Sequence, residues 1–175
     1  MPSTIHAAIL GASGYTGTET LRLLLGHGQV QVLALTGDRQ AGRDISSLAP
    51  GFTGHDLPML TKIEETDFDG VDVAFACLPH GAAQEAVANL PESIKVIDLS
   101  ADFRLEDLKI FEEWYGPHQA PHLQSSAVYG LTEWERGKVK NSGLVANPGC
   151  YPTASLLPLL PLLEKVAILP ETIVI

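Results

Sequence analysis

The stretch Gly11-Ala12-Ser13-Gly14-Tyr15-Thr16-Gly17 constrains this chain more than any other. It follows a short, mostly apolar run, IHAAIL (5–10), which reads as a buried strand. It precedes TGTETLRLLLGH, in which Leu21, Leu24 and Leu25 fall at helical spacing and Gly26 and Gly28 end the segment. The spacing G-x-x-G-x-x-G is a variant of G-x-G-x-x-G. Glycines there permit the tight turn, the close approach of backbone N–H groups to a pyrophosphate, and helix–strand packing. The helix N-terminus then faces the anion with free N–H groups and partial positive charge. A glycine-rich turn without a ligand is the alternative, but the position after strand one and before helix one favours a dinucleotide.

The rest of the chain repeats the alternation. QVQVLALT (29–36) reads as a second strand and GDRQAGRDISSLAPG as a polar loop. VDVAFACL (71–78) is a strand of the continuous apolar kind found in parallel sheets covered on both faces. GAAQEAVANL (81–90) predicts a helix, IKVIDLS (94–100) a strand, and LEDLKIFEEWY (105–115) a helix stopped by Gly116-Pro117. Residues 117–128 are expected as a loop, and GLVAN (143–147) as a last short strand. Strands alternating with helices predict an α/β fold with a doubly wound, right-handed parallel sheet. ETIVI (171–175) reads as a strand that begins and is cut off. The pattern is thus expected to be the N-terminal portion of something longer, with a β-rich second domain to follow.

Hydrophobic residues make up 45% of the 175, enough for a real core. The formal net charge of −10 argues against binding a nucleic-acid backbone, which needs clustered cations. A small anionic ligand stays compatible, because a few local cations override the global field. Two cysteines make neither a disulfide framework nor a zinc set. No metal site is expected: Pro121 denies His118 and His122 a shared helix face. The N-terminus lacks a signal-peptide pattern and no apolar run reaches the roughly 20 residues that span a bilayer. A soluble cytoplasmic protein without membrane contact is the expectation.

Two places carry chemistry beyond the glycine loop. Strand two ends Leu35-Thr36-Gly37-Asp38-Arg39, with Arg43 close behind. Thr36 and Arg39 suit the 2′-phosphate of NADP, whereas Asp38 could bond a ribose, so the local signal leans to NADP without settling it. Arg39 and Arg43 alone would read as a solvated loop. The second place is NPGCYPT (147–153). Pro152 fits the first turn of a helix, where no N–H donor is required. Cys150 is therefore expected at the N-terminus of a helix whose positive end points at the sulfur, with Pro158 and Pro161 kinking or breaking that helix. A small buried hydrophobe is the alternative for Cys150, and position alone does not decide. Cys77, inside AFACLP, reads as core packing. A thiol at a strand end downstream of a dinucleotide loop suits reduction of an acyl group through a thioester.

GASGYTGTE (11–19), LPHGAAQE (78–85), DLSADFRL (98–105), YGLTE (129–133) and ANPGCYPTA (146–154), in this order, resemble the N-acetyl-γ-glutamyl-phosphate reductases of arginine biosynthesis. Aspartate-semialdehyde dehydrogenases share the layout, but their cysteine motif looks different. The resemblance implies a Rossmann-like NADP-binding domain over 1–149. Residues 150–175 would then hold the nucleophile helix and the start of a truncated α+β substrate and dimerisation domain, so that a homo-oligomer is expected through that second domain. It implies NADPH-dependent reduction of N-acetyl-L-glutamyl 5-phosphate to the semialdehyde, with Cys150 as nucleophile and phosphate released. It places Gly11, Ser13, Gly14, Tyr15, Thr16 and Gly17 at the cofactor loop and Thr36 and Arg39 at the 2′-phosphate. Pro79 is expected along the cofactor, with His80 and Gly81 beside it. Ser100 and Arg104 match the place where related dehydrogenases hold the substrate phosphate; an ion pair of Arg104 with Asp102 or Glu106 is the alternative. Asn147 could donate to the developing oxyanion, or simply initiate an Asn-Pro turn.

One departure stands out. The resemblance assigns the thiol's acid/base partner to a histidine of the second domain, and all six histidines here precede Cys150. A chain ending at Ile175 is therefore expected to turn over little. Two rival readings remain: a reductase of another acyl phosphate, such as aspartyl or aminoadipyl phosphate, and a dinucleotide-binding module without turnover.

Overall fold

A computed structural model describes residues 4–174. Its centre is a seven-stranded sheet in the order β3-β2-β1-β4-β5-β7-β6. The strands are β1 (Ile5–Leu10), β2 (Val30–Thr36), β3 (Leu60–Thr61), β4 (Val73–Ala76), β5 (Lys95–Asp98), β6 (Ala127–Tyr129) and β7 (Leu144–Ala146), and every pairing is parallel. The order reverses at β1, where β2 lies on one side and β4 on the other. That reversal opens a crevice at the C-terminal edge, the place where doubly wound sheets hold ligands.

Among the described residues six α-helices connect and flank the strands: α1 (Tyr15–Leu25), α2 (Ala83–Ala88), α3 (Leu108–Tyr115), α4 (Pro121–Gln124), α5 (Thr132–Asn141) and α6 (Cys150–Glu164). Period-two alternation splits the core into two clusters. Ala8 and Leu10 of β1 join Ala74, Ala76 and Val96 under Ala86, Val87 and Leu90 of α2 and its C-terminal end. Ile9, between them in sequence, points the other way and packs with Leu35, Leu60 and Leu21 of α1. Both faces of β1 are buried, which is why IHAAIL is continuously apolar.

Several expectations are corrected. The loop 37–51 contains short 3₁₀ turns that bury Ile45, and Phe52 follows in the same cluster. Residues 117–128 hold α4 and the start of β6 rather than loop alone. Pro158 and Pro161 lie inside α6 without ending it. Proline's fixed φ suits a helical backbone. The carbonyls that lose a helical N–H partner belong to Ala154, which is exposed, and Leu157, which is half-buried. ETIVI does not form a strand over its described part. Pro170–Thr172 is a 3₁₀ turn, and Val174, 95% exposed, pairs with no strand among the described residues; Ile175 lies outside them. Among the described residues no helix is long and apolar enough to cross a membrane.

Candidate active site

The glycine loop is shaped by contacts that exclude side chains. Gly11 has φ of +79°, and a Cβ there would stand 2.5 Å from the carbonyl oxygen of Cys77, the residue after β4. A Cβ on Gly17 would meet the Gly11 carbonyl oxygen at 2.3 Å, so α1 can sit this close to the turn only with glycine. The end of β2 fixes the other side. The Gly11 N–H donates to Thr36 Oγ1 at 3.0 Å and the Ala12 N–H to the Thr36 carbonyl at 2.7 Å. Thr36 is thus 1% exposed and shapes the loop from beneath. Ser13, Gly14, Tyr15 and Thr16 are exposed, with Tyr15 at 98%. Gly14 caps α1 without any side-chain bond, and the first turn carries no acidic residue. This helix end is therefore open to an anion, and a nucleotide phosphate fits it.

Arg39 is exposed just past β2, and no ion pair is found for it among the described residues. Asp38, also exposed, lines a cleft of 770 Å³ with Ile63, Thr66, Leu78, Pro79 and Ala82. The cleft lies between the end of β2 and the β4–α2 turn, so Pro79 faces the same space as the strand-two terminus.

The N-terminal end of α2 is occupied by protein. The fully buried Asp102, from the turn after β5, accepts from the Gly81 N–H at 2.9 Å and the Ala83 N–H at 3.1 Å. His80 Nδ1 lies 2.6 Å from the same carboxylate. Of these two helix ends, the α1 terminus is the one free for a phosphate.

Arg104 occupies the junction of β5 and β7. Its Nε–H donates to the Asn147 carbonyl at 2.8 Å and its Nη2 to the Leu99 carbonyl at 3.0 Å. It makes no ion pair with Asp102 or Glu106 among the described residues, which corrects that alternative. Asp102 is already engaged by His80, Gly81 and Ala83. The guanidinium instead lies against Gly149: a Cβ on Gly149 would be 3.1 Å from Nη1. Gly149 is the N-cap of α6 and Cys150, exposed, is its first residue. The cation and the thiol therefore flank one glycine.

Ser100 lies beneath. It is 6% exposed, donates its hydroxyl proton to Asp98 at 2.8 Å and accepts from the Asp102 N–H at 3.0 Å. Burial pushes the Asp98 carboxyl up to about 6, against the hydrogen bonds from Ser100. Asn147 Nδ2 donates to the Pro148 carbonyl at 3.1 Å. Cys77 is half-buried, 3.5 Å from Thr20 Oγ1, and burial pushes its thiol up, as suits packing.

The structure thus gathers Ser100, Arg104, Asn147 and Cys150 at the ends of β5 and β7, and the glycine loop, Thr36, Arg39 and Pro79 around β1, β2 and β4. Asp98 is not among the residues singled out by the sequence motifs, and Asp102 enters there only as a rival partner for Arg104. Their signal was present: the spacing Asp98-x-Ser100-x-Asp102 at a strand end is that of side chains bonding backbone two residues on.

The parallel sheet, its crevice and the open α1 terminus define a doubly wound dinucleotide-binding domain. A family model described as "Semialdehyde dehydrogenase, NAD binding domain" matches residues 6–142, and the chain belongs to that family. It is 50% identical over 172 residues to a probable chloroplastic N-acetyl-gamma-glutamyl-phosphate reductase of Oryza sativa subsp. japonica, covering 98% of this chain and 41% of the rice protein. It is 51% identical over 160 residues to an N-acetyl-gamma-glutamyl-phosphate reductase of Cereibacter sphaeroides, covering 91% of this chain and 47% of that one. The chain therefore spans about half the length of the curated relatives it matches. In fold it is similar to an aspartate semialdehyde dehydrogenase from Candida albicans solved with NADP. There the TM-score is 0.61 at 22% identity, covering 93% of this chain and 48% of that one.

Proposed function

We propose that the chain carries the cofactor-binding and nucleophile part of an N-acetyl-γ-glutamyl-phosphate reductase of arginine biosynthesis. The observation that supports this best is the Arg104 guanidinium against Gly149, one residue ahead of the exposed Cys150. An acyl phosphate laid across Gly149 meets a cation for its phosphate and a nucleophile for its carbonyl. The Cys150 thiolate attacks the acyl carbon, the bond to the phosphate oxygen breaks, and phosphate departs on Arg104, leaving a thioester. Asn147 stabilises the oxyanion with the amide hydrogen not used on Pro148. Ser100 backs this anion site by fixing the turn that carries Arg104. When bound, NADPH supplies the hydride that takes the thioester to the aldehyde level.

In this reading Gly11, Ser13, Gly14, Tyr15, Thr16 and Gly17 hold the dinucleotide, and Pro79 lies along it. Arg39 takes the 2′-phosphate, with Thr36 setting the loop from below. Residues 1–149 form the NADP domain, and α6 leads into a substrate and dimerisation domain. The resemblance assigns the thiol's acid/base partner to the second domain, so the expectation for these 175 residues is acylation of Cys150 with slow turnover, which the comparison with the extended chain below tests.

The test compares N-acetylglutamyl, aspartyl and aminoadipyl phosphates as oxidants of NADPH, in this chain and in one extended with the C-terminal half of a relative. Preference for N-acetylglutamyl phosphate in the extended chain supports the proposal. Preference for another acyl phosphate moves the assignment within the family. NADPH binding with no oxidation in the extended chain favours a binding module.

A further inference from the structure

Asp98 is fully buried, and no step of the reaction proposed above uses it. It ends β5, where its partners in the sheet are Ala76 of β4 and Ala146 of β7. Taking a carboxylate out of water is costly unless protein donors replace its hydration. Here both oxygens are engaged by one residue. Oδ1 accepts from the Ser100 N–H at 3.0 Å and Oδ2 from the Ser100 hydroxyl at 2.8 Å. An asparagine offers one accepting oxygen where the carboxylate offers two.

These two bonds close a turn over Leu99, and Arg104 is anchored on that turn. The Leu99 carbonyl accepts from Arg104 Nη2 at 3.0 Å. Ser100 Oγ, oriented by Asp98, accepts from the Asp102 N–H at 3.0 Å, two residues ahead of Arg104. The second anchor has the same origin. The Asp98 carbonyl accepts from the Asn147 N–H at 2.8 Å, and the Asn147 carbonyl accepts from Arg104 Nε at 2.8 Å. Both carbonyls that hold the guanidinium are therefore set by Asp98, one through its side chain and one through its backbone. With Nε and Nη2 engaged, Nη1 makes no hydrogen bond among the described residues, and it is the nitrogen beside Gly149. A planar fork clamped at two nitrogens presents the third in one direction, as recognition of a phosphate by arginine requires.

We propose that Asp98 is the positioning residue of the anion site: its carboxyl, acting through Ser100, holds the Leu99 carbonyl and with it the direction in which Arg104 presents Nη1. This rests on the reading of Arg104 as the phosphate-binding cation. The charged and titratable groups around the carboxyl are Arg104 and Asp102 from its own turn and Cys77 from just after β4. Two roles for this carboxylate predict opposite signs. As a charge alone, Asp98 repels an anion, and removing it tightens phosphate binding. As a positioning group, removing it loosens Arg104 and weakens phosphate binding.

The test follows the Arg104 Nε–H resonance of the ¹⁵N-labelled 175-residue chain while inorganic phosphate is added. It is run at a constant pH of about 7.5, where the carboxyl is ionised. In the wild-type chain the resonance is expected to be sharp and to shift with phosphate. Asp98→Asn is expected to broaden it and to weaken phosphate about three- to tenfold. Ser100→Ala cuts the same link from its other end and is expected to weaken phosphate by a similar factor. The double variant should lose no more than the weaker-binding single variant, since both changes act through one connection. Equal or tighter phosphate binding in Asp98→Asn overturns the Asp98 assignment and leaves the reading of Arg104 standing. Additive losses in the double variant overturn it as well, because Ser100 then acts on the anion by itself. An Arg104 resonance that ignores phosphate in the wild-type chain overturns both. The backbone amide spectrum shows whether each variant folds. Should Asp98→Asn fail to fold, Ser100→Ala decides: a sharp Arg104 resonance with wild-type phosphate affinity overturns the proposal, and a broadened one with weakened affinity supports it.

Discussion

The Nε–H of Arg104 donates to the backbone carbonyl of Asn147 at 2.8 Å, and so one side chain joins the ends of two strands. The same guanidinium reaches the Leu99 carbonyl at the end of β5. Arg104→Ala leaves both carbonyls without this donor and is expected to cost about 1–3 kcal/mol of stability, read as a lower urea midpoint. Arg104→Lys keeps the charge but offers no planar fork, so it recovers little of that loss. In a chain extended to the length of its relatives, both variants are expected to lower kcat/KM for the acyl phosphate. Wild-type stability in Arg104→Ala would contradict the clamp.

Gly17→Ala tests the glycine loop. The added Cβ would stand 2.3 Å from the Gly11 carbonyl oxygen and 2.6 Å from Ala12 Cα, both backbone atoms. The turn or the helix must shift, at a cost of about 1–3 kcal/mol. NADP affinity, followed by quenching of protein fluorescence, is expected to fall with it. A control at Gly28, where a Cβ meets nothing within 4 Å, should leave NADP affinity unchanged.

Asp98 makes stability depend on pH in a defined sense. Burial disfavours the charge and pushes its carboxyl up to about 6 in the folded chain, against about 4 in the unfolded chain. The folded state therefore holds the proton more tightly, and stability is lost as pH rises from about 4 to about 6, then levels. Asp98→Asn removes that loss. The stability difference should move toward the variant by about 2–3 kcal/mol between about pH 4 and pH 7, whatever fixed cost the lost bonds to Ser100 add. Urea unfolding of both proteins across that range checks it, and a pH-independent difference would contradict it.

Much of this arrangement was legible in the residues, and the exceptions have physical reasons. IHAAIL, the glycine loop and the first helix were readable because apolar periodicity and turn chemistry agree over their whole length. β3 was missed because Leu60 and Thr61 are only two residues, placed by pairing with Leu35 and Thr36 rather than by any local pattern. α5 was missed because TEWERGKVKN is mostly polar and buries no residue, so no apolar stripe marks it. α4 is a single turn started by Pro121, in a segment where two prolines suggested loop. At the site, Cys150 and Arg104 were visible as motif residues, but their shared contact with Gly149 comes from the β5–β7 neighbour relation. β6 and α5 intervene in sequence, so local spacing could not supply it.

The two thiols should separate by reactivity. Cys77 is half-buried and its thiol is pushed up by burial, while Cys150 is exposed at the start of α6. Iodoacetamide is expected to label Cys150 at least about tenfold faster than Cys77 near neutral pH, since the thiolate is the reacting species. Peptide mass spectrometry of partly labelled protein reads the ratio, and preferential labelling of Cys77 would contradict this placement.

The most direct test of the central claim is to trap the acyl-enzyme. The chain is mixed with N-acetylglutamyl phosphate in the absence of NADPH, quenched in acid and digested for mass spectrometry, with released phosphate measured in parallel. The account predicts an N-acetylglutamyl thioester on the peptide containing Cys150, release of one phosphate per acyl group gained, and no adduct in Cys150→Ala. Phosphate release without an adduct on Cys150, or an adduct that persists at another residue in Cys150→Ala, would contradict it.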